Sequence, residues 1–284
     1  MKTFPAIIHK IRHSFSVIIK HLVLLSLLVL TLFPLFFMFN ASFKHREEFL
    51  GNVMGLPHNP TLQNYINILQ RSNLTTMFLN SIILTACSVF LCTIIAVITA
   101  YAFANLEFYG RDFLFNLITP LMVIPPIVMI IPLFVFMSKV NLVNNLWGPI
   151  VIYSGLMLPF TIYLLRNFFI TIPNEIQEAA EIDGCSTFQI LIKIYFPLSR
   201  PALVTVIIVN TVWVWNELLI ALVFLQKEEL RTLIVGITTS LQKRFTLDVP
   251  LLMAGLAIAT IPMILLYLVG QNALVRGLVS GYEK

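Results

Sequence analysis

Residues 22–40 read LVLLSLLVLTLFPLFFMFN, an apolar stretch that carries no charged side chain. A helix rises about 1.5 Å per residue, so a stretch of this length can cross a hydrocarbon layer roughly 30 Å thick. Further stretches of similar length and character follow it along the chain. The sequence therefore predicts an all-α, polytopic membrane protein with about six transmembrane helices.

The predicted spans share a length of about twenty mostly apolar residues. They run approximately over 22–40, 77–104, 113–137, 149–170, 201–225 and 250–270. Pro125, Pro126 and Pro132 lie in the third span and should kink or unwind it, because proline lacks the backbone donor that a helix needs. Glu217, in the fifth span, is the one acidic residue inside a predicted span.

The composition supports this fold class. Of the 284 residues, 58% are hydrophobic and 11% are charged, whereas soluble domains carry roughly 25% charged residues. The net charge of +5 comes from basic residues scattered between the apolar stretches, which excludes a nucleic-acid-binding surface. The three cysteines, Cys87, Cys92 and Cys185, imply neither a disulfide framework nor a thiolate metal site.

The charge pattern near the N-terminus predicts the orientation in the membrane. Residues 1–21 form an amphipathic segment with basic and no acidic residues, which places the N-terminus in the cytoplasm. The apolar run that follows is too long for a signal-peptide core, so it is interpreted as an uncleaved anchor. Six spans then put the C-terminal tail, 272–284, and the segments 105–112 and 171–200 in the cytoplasm. The predicted permease domain covers 22–271.

One cytoplasmic segment, 171–200, has strong local signals and is called the helical loop below. Its residues 172–186 read IPNEIQEAAEIDGCS and predict a short helix with Pro173 at its first position. Gly184 can adopt the left-handed conformation that ends a helix. Ser186 and Gln189 have the spacing of a capping box for a second helix, which should stop before Pro197. From these signals alone, a rigid docking element and an ordinary amphipathic loop are both open.

The sequence of this loop resembles a known family motif. Glu178-Ala179-Ala180, Gly184, Ile194 and Pro197 match the E-A-A-x-x-x-G-x(9)-I-x-L-P loop of permease subunits in binding-protein-dependent ABC importers, with Phe196 where leucine is usual. Pieces along nearly the whole chain are similar to the MalG-like permeases of maltose-type carbohydrate importers. They include Ser42-Phe43-Lys44, Asn64-Tyr65, Asn80-Ser81, Ala100-Tyr101-Ala102-Phe103-Ala104 and Trp215-Asn216-Glu217. Two positions depart from the family pattern. Asn105 stands where a basic residue is common, and the C-terminal Gly281-Tyr282-Glu283-Lys284 differs from the usual ending of the family.

The resemblance implies a function and a set of partners. The chain would form half of the pathway of an ATP-driven sugar importer, together with a second, MalF-like permease, two ATP-binding subunits and an extracytoplasmic sugar-binding protein. The residues implied for ATPase coupling are Glu178, Ala179, Ala180, Asp183, Gly184, Ile194 and Pro197. ATP and magnesium would be bound by the partner ATPase, because the sequence has no phosphate-binding G-x-x-x-x-G-K-[ST] loop, and no cofactor or nucleic acid is expected on this chain.

The charged residue in the fifth span is a separate candidate site. An ionisable group inside a span is costly, so Glu217 is a functional hypothesis, and Asn210, Trp213 and Asn216 could line a sugar pathway beside it. The alternative is that Glu217 is paired and supports helix packing, with Trp213 in the aromatic belt. A proton-coupled secondary transporter that uses Glu217 is the second functional hypothesis, and a polytopic membrane enzyme or scaffold is the third. No arrangement of residues indicates catalysis or a metal site; His9 and His13 lack further ligands nearby.

Overall fold

The structure is a computed structural model of the chain, and it describes residues 4–71, 73–242 and 248–279, with side chains for 17–70, 73–239 and 248–271. Within these ranges the regular structure is helical and contains no strand, so the predicted all-α class is confirmed. The predicted divisions 1–21, 22–271 and 272–284 stay predictions, because the side chains before Val17 and after Gln271 lie outside the described residues. The same holds for His9 and His13.

The helices differ widely in length, from single turns to more than thirty residues. Their bounds are α1 Phe4–Ser42, α2 Arg46–Gly51, α3 Gln63–Arg71, α4 Leu74–Asn105, α5 Arg111–Ile118, α6 Pro126–Lys139, α7 Trp147–Phe169, α8 Asn174–Ile182, α9 Thr187–Ile190, α10 Phe196–Leu198, α11 Arg200–Asn216, α12 Leu219–Phe224, α13 Leu233–Gln242 and α14 Val249–Val279.

Four helices in the described residues are long and apolar enough to cross a membrane: the Val17–Ser42 part of α1, α4, α7 and the Val249–Gln271 part of α14. Two bent pairs, Arg111–Val123 with Pro126–Lys139 and Thr187–Leu198 with Arg200–Asn216, bring the number to six if each is one span. The side chains of α1 from Ile18 to Phe36 are exposed, with Leu24 62% and Leu30 71% exposed, which suits contact with lipid and not with water.

The third span is broken where prolines were predicted to break it. Arg111–Val123 and Pro126–Lys139 meet at 104°, with extended backbone at Ile124 and Pro125. Proline at two successive positions removes two backbone donors, so a continuous helix would lose two hydrogen bonds there. Pro132 lies inside α6 without ending it.

The fifth span corrects the sequence analysis. A continuous helix was predicted over 201–225, but α11 ends at Asn216 and a separate short helix, α12, begins at Leu219. Glu217 lies in the gap with extended backbone, φ −72° and ψ 126°. The expectation of one unbroken helix was wrong because the Glu217 side chain binds the backbone N–H groups that follow it, as described below.

The described residues belong to two compact units. The first lies within Met1–Arg71 and Arg244–Ile258, and the second within Ser72–Lys243 and Ala259–Lys284. In the first unit the segment after α1 is organised around Lys44, whose side chain is fully buried. Its ammonium group donates to the carbonyl oxygens of Asn52, Val53 and Gly55 at 2.8, 3.2 and 2.5 Å, respectively. The ammonium group therefore supplies hydrogen bonds to backbone carbonyls of residues that lie outside regular secondary structure.

In the second unit α4 packs chiefly along α7 and also contacts α11 and α13. Its early turns share a core of buried residues with α7, α11 and α12, which includes Cys92, Tyr153 and Phe224. Its later turns share another core with the end of α7 and the helical loop, which includes Tyr101, Phe169 and Tyr195. The helical loop therefore packs against the spans and does not project from them as an unpacked loop.

Candidate functional site

The first arm of the helical loop is α8, which ends in a tight turn at Gly184. Gly184 has φ +79°, its N–H donates to the carbonyl of Glu181, and the N–H of Cys185 donates to the carbonyl of Ala180, both at 3.0 Å. This pair of bonds is a Schellman motif, in which a left-handed residue satisfies the last carbonyls of a helix. The predicted left-handed glycine is confirmed.

The second arm begins as predicted and then departs from the prediction. The Ser186 hydroxyl accepts from the Gln189 N–H at 3.4 Å, and the Gln189 side chain accepts from the Ser186 N–H at 2.8 Å, which is the reciprocal pair of a capping box. Pro197 does not end this arm, which runs on as a π-helical turn, Leu191–Tyr195, and then α10. The helical run ends at Leu198, one residue after Pro197, and α11 begins at Arg200.

Pro173 is also placed differently from the prediction. It has ψ 136° and caps α8 from outside, so the helix begins one residue later at Asn174. Extended backbone at this position leads the chain out of α7 and turns it into α8. The predicted first helical residue was therefore wrong by one position, and the predicted helix itself is present.

The residues proposed for coupling divide into two sets by burial. Glu178, Ala179, Asp183 and Gly184 are exposed, whereas Ala180 is buried. Ile194 and Pro197 are half-buried, and Ile194 packs against the core that contains Tyr101 and Phe169. One side of the loop is therefore fixed to the spans, and the other exposes the carboxylates of Glu178 and Asp183.

Tyr195 fixes the loop to the spans, and the sequence analysis did not single it out. Its side chain is fully buried, and its hydroxyl donates toward the amide oxygens of Asn105, at the end of α4, and of Gln177, on α8. Burial raises the pKa of this phenol above its ordinary value, and the charge of Glu181 raises it further, so the hydroxyl stays protonated and remains a donor. A tyrosine two residues before Pro197 gave no sequence signal, because its partners lie far away along the chain.

The gap in the fifth span is closed by the side chain of Glu217. One carboxylate oxygen accepts from the N–H groups of Leu219 and Ile220 at 2.9 and 3.1 Å, and the other accepts from those of Ile220 and Ala221 at 3.0 and 3.3 Å. The Tyr153 hydroxyl on α7 donates to the same carboxylate at 2.5 Å. A carboxylate at the start of a helix satisfies donors that have no helical partner and complements the helix dipole.

The other residues proposed beside Glu217 lie in different surroundings. Asn210 is buried and donates to the Thr161 hydroxyl on α7 at 2.9 Å. The Trp213 ring meets the Tyr153 ring edge-on at 5.7 Å. Asn216 is exposed and donates to the carbonyl of Val212. The structure thus brings Trp213 and Glu217 together through Tyr153, and it places Asn210 in a separate contact between two helices.

The side chains that the structure describes contain no group of three or more His, Cys, Asp or Glu residues arranged to hold a metal ion. The polar groups of the site instead bind to backbone amides and to each other.

Broken spans with a helical loop packed onto them are typical of the membrane subunits of transporters. Residues 92–280 match the family described as "Binding-protein-dependent transport system inner membrane component", and the chain belongs to this family. It is therefore an inner-membrane permease component, and the predicted resemblance is confirmed. Membership implies, in general, a partner permease, an ATPase and a substrate-binding protein, and it does not favour a proton-coupled secondary transporter.

Individual relatives agree with the family. The chain is 39% identical to a putative ABC transporter permease protein ORF2 of Caldicellulosiruptor sp. (strain Rt8B.4), over 88% of this chain and 91% of that protein. It is 34% identical to the sulfoquinovosyl glycerol transport system permease protein SmoH of Agrobacterium fabrum, over 90% of each. Both relatives are transport permeases.

A solved structure has the same fold. It is a chain of a bacterial ABC transporter involved in the import of the acidic polysaccharide alginate, and it matches with a TM-score of 0.79 and 27% identity. The match covers 91% of this chain and 96% of the other. The chain therefore shares its fold with a chain of an ABC importer.

Proposed function

We propose that this chain is one of two permeases in an ATP-driven carbohydrate importer and that the helical loop binds the ATPase. The division of the loop into a packed side and an exposed side carries the proposal. Ala180 and Ile194 hold the loop to the spans, while Glu178 and Asp183 face outward. A partner that grips the exposed side would move the spans with it, because the turn at Gly184 and the capping box leave the loop little freedom.

The carbohydrate substrate is inferred from what the relatives transport. The permease from Agrobacterium fabrum is named for a sugar glycerol, and the transporter of solved structure imports a polysaccharide. These substrates share many hydroxyl groups, which are recognised by hydrogen-bonding side chains and by aromatic faces. Trp213, Asn216 and the gap at Glu217 offer both kinds of group, so we place the substrate pathway beside this gap, with Asn210 supporting it from the helix contact.

The partners and the orientation complete the proposal. The second permease is MalF-like, two ATPases bind ATP and magnesium, and an extracytoplasmic binding protein delivers the sugar. Both termini and the helical loop lie in the cytoplasm, so that the loop meets the ATPases there. This chain itself carries out no bond chemistry and holds no cofactor.

Uptake by the reconstituted complex tests the energy source. Proteoliposomes that contain both permeases and the ATPases, with binding protein outside and ATP inside, should accumulate labelled sugar. A protonophore should leave this uptake unchanged, and removal of ATP should abolish it. Uptake that persists without ATP and collapses with the protonophore would contradict the proposal and favour proton coupling through Glu217.

A further inference from the structure

A continuous line of hydrogen bonds joins the exposed side of the helical loop to the end of α4. The Gln177 amide nitrogen donates to Glu181 at 2.9 Å, and the Tyr195 hydroxyl donates toward Gln177 at 3.2 Å and toward Asn105 at 2.9 Å. The Asn105 amide nitrogen then donates to the carbonyl of Tyr101 at 3.5 Å. We infer that Tyr195 is a positioning residue that transmits displacement of α8 to α4, and this inference rests on the proposed function of the loop.

The two amide groups are oriented by their other bonds. The Gln177 nitrogen is engaged by Glu181, so its oxygen faces Tyr195. The Asn105 nitrogen points to the carbonyl of Tyr101, so its oxygen faces Tyr195 as well. One hydroxyl proton thus lies between two acceptors, one on each element. A small shift of α8 changes which acceptor receives the proton, and this links the position of α8 to the end of α4.

The ring of Tyr195 is held in place while its hydroxyl links the two helices. It meets the Tyr101 ring edge-on at 5.0 Å and the Phe169 ring at 5.6 Å, which are contacts to α4 and α7. The π-helical turn Leu191–Tyr195 places the ring there. Such turns widen the helix by one residue and occur frequently at functional positions. The ring therefore packs against α4 and α7, and the hydroxyl adds hydrogen bonds toward Asn105 on α4 and Gln177 on α8.

A matched control lies in the same aromatic cluster. Tyr101 is 3% exposed, and its hydroxyl makes no hydrogen bond to any described group. Tyr101→Phe and Tyr195→Phe therefore each remove one buried hydroxyl from the same cluster and preserve the ring. If the cluster acts through packing alone, the two variants will behave alike. If the hydrogen-bond line carries the coupling, only Tyr195→Phe will impair it.

The experiment uses the complete complex in proteoliposomes and measures ATPase content, binding-protein-stimulated hydrolysis and uptake. We expect Tyr195→Phe to retain its ATPase while sugar taken up per ATP hydrolysed falls about three- to tenfold, the range that corresponds to one buried hydrogen bond. Tyr101→Phe should match the wild type. Equal uptake per ATP in the wild type and both variants, or an equal loss in both variants, would overturn the inference.

Gln177→Ala is a second test of the inference, at the α8 end of the line of hydrogen bonds. It should lower uptake per ATP, and combining it with Tyr195→Phe should add little, because both changes break the same line. Additive losses, or no loss from Gln177→Ala, would overturn the inference even if Tyr195→Phe assembled poorly. Failure of the proposed function gives a different result, because the wild-type chain would then retain no ATPase or show no ATP-dependent uptake.

Discussion

Helices are interrupted by different means in the helical loop and in the fifth span. In the loop, Gly184 turns the backbone with φ +79°, and the freed carbonyls of α8 bind neighbouring N–H groups. In the fifth span, Glu217 has ordinary extended backbone, and the freed N–H groups of α12 bind its carboxylate. The loop break is a property of the local backbone, whereas the span break depends on a charged side chain and on Tyr153 from another helix.

The difference follows from where the two breaks lie. Next to water, unpaired backbone groups can be hydrated, so a glycine turn is sufficient. Inside a hydrocarbon layer each unpaired group costs several kcal/mol, so a break persists only where the protein supplies partners. Glu217 supplies acceptors for three N–H groups at once, which explains why a carboxylate is retained inside a span.

The largest effect is expected from Glu217→Ala, which removes every acceptor at the break. The N–H groups of α12 and the Tyr153 hydroxyl would lose their partner, at a cost of about 3 kcal/mol or more, since each unsatisfied buried group costs roughly 1–3 kcal/mol. We expect a large fall in the thermal stability of the purified complex. Glu217→Gln is the matched control, because it keeps one acceptor oxygen; it should lose less stability than the alanine variant and change uptake only modestly. Equal stability of the alanine variant and the wild type would show that the carboxylate does not maintain the break.

A smaller effect is expected at the other break, from Gly184→Val. A Cβ at this position meets nothing within 4 Å, so the cost comes from the positive φ alone, about 1–3 kcal/mol for a β-branched residue. The spans should insert and fold, while the loop is displaced and ATPase recruitment falls. Gly184→Asn is the control, because asparagine adopts left-handed backbone more readily. Equal loss of ATPase in both variants would show that backbone conformation is not the cause.

The smallest effect is expected from Tyr153→Phe, which removes one of the donors to Glu217 and keeps the edge-on contact with Trp213. Because the backbone N–H groups still hold the carboxylate, we expect stability to fall by about 0.5–1.5 kcal/mol, the usual net value of one intramolecular hydrogen bond. Thermal unfolding of the complex measures this. A loss as large as that of Glu217→Ala would mean that Tyr153, and not the α12 backbone, anchors the break.

The same contrast explains what the sequence could and could not predict. The spans, the proline break in the third span, the Gly184 turn and the capping box were all predictable, because each depends on residues close together in the chain. The break at Glu217 and the role of Tyr195 were not, because their partners Tyr153, Gln177 and Asn105 come from other elements. An ionisable residue in a span marked Glu217 as unusual, but its spacing could not show that it caps a second helix.

The most direct test of the central claim is charge reversal on the exposed side of the helical loop. Glu178 is exposed on α8, so Glu178→Lys should leave folding intact and reverse the charge that meets the ATPase. Glu107→Lys is the control, since Glu107 is an exposed carboxylate in the other segment predicted to be cytoplasmic. We expect co-purification of the ATPase with Glu178→Lys to fall at least about tenfold, equivalent to roughly 1.4 kcal/mol, and Glu107→Lys to match the wild type. Wild-type amounts of ATPase with Glu178→Lys, together with normal stimulated hydrolysis and uptake, would contradict the assignment of this loop as the coupling element.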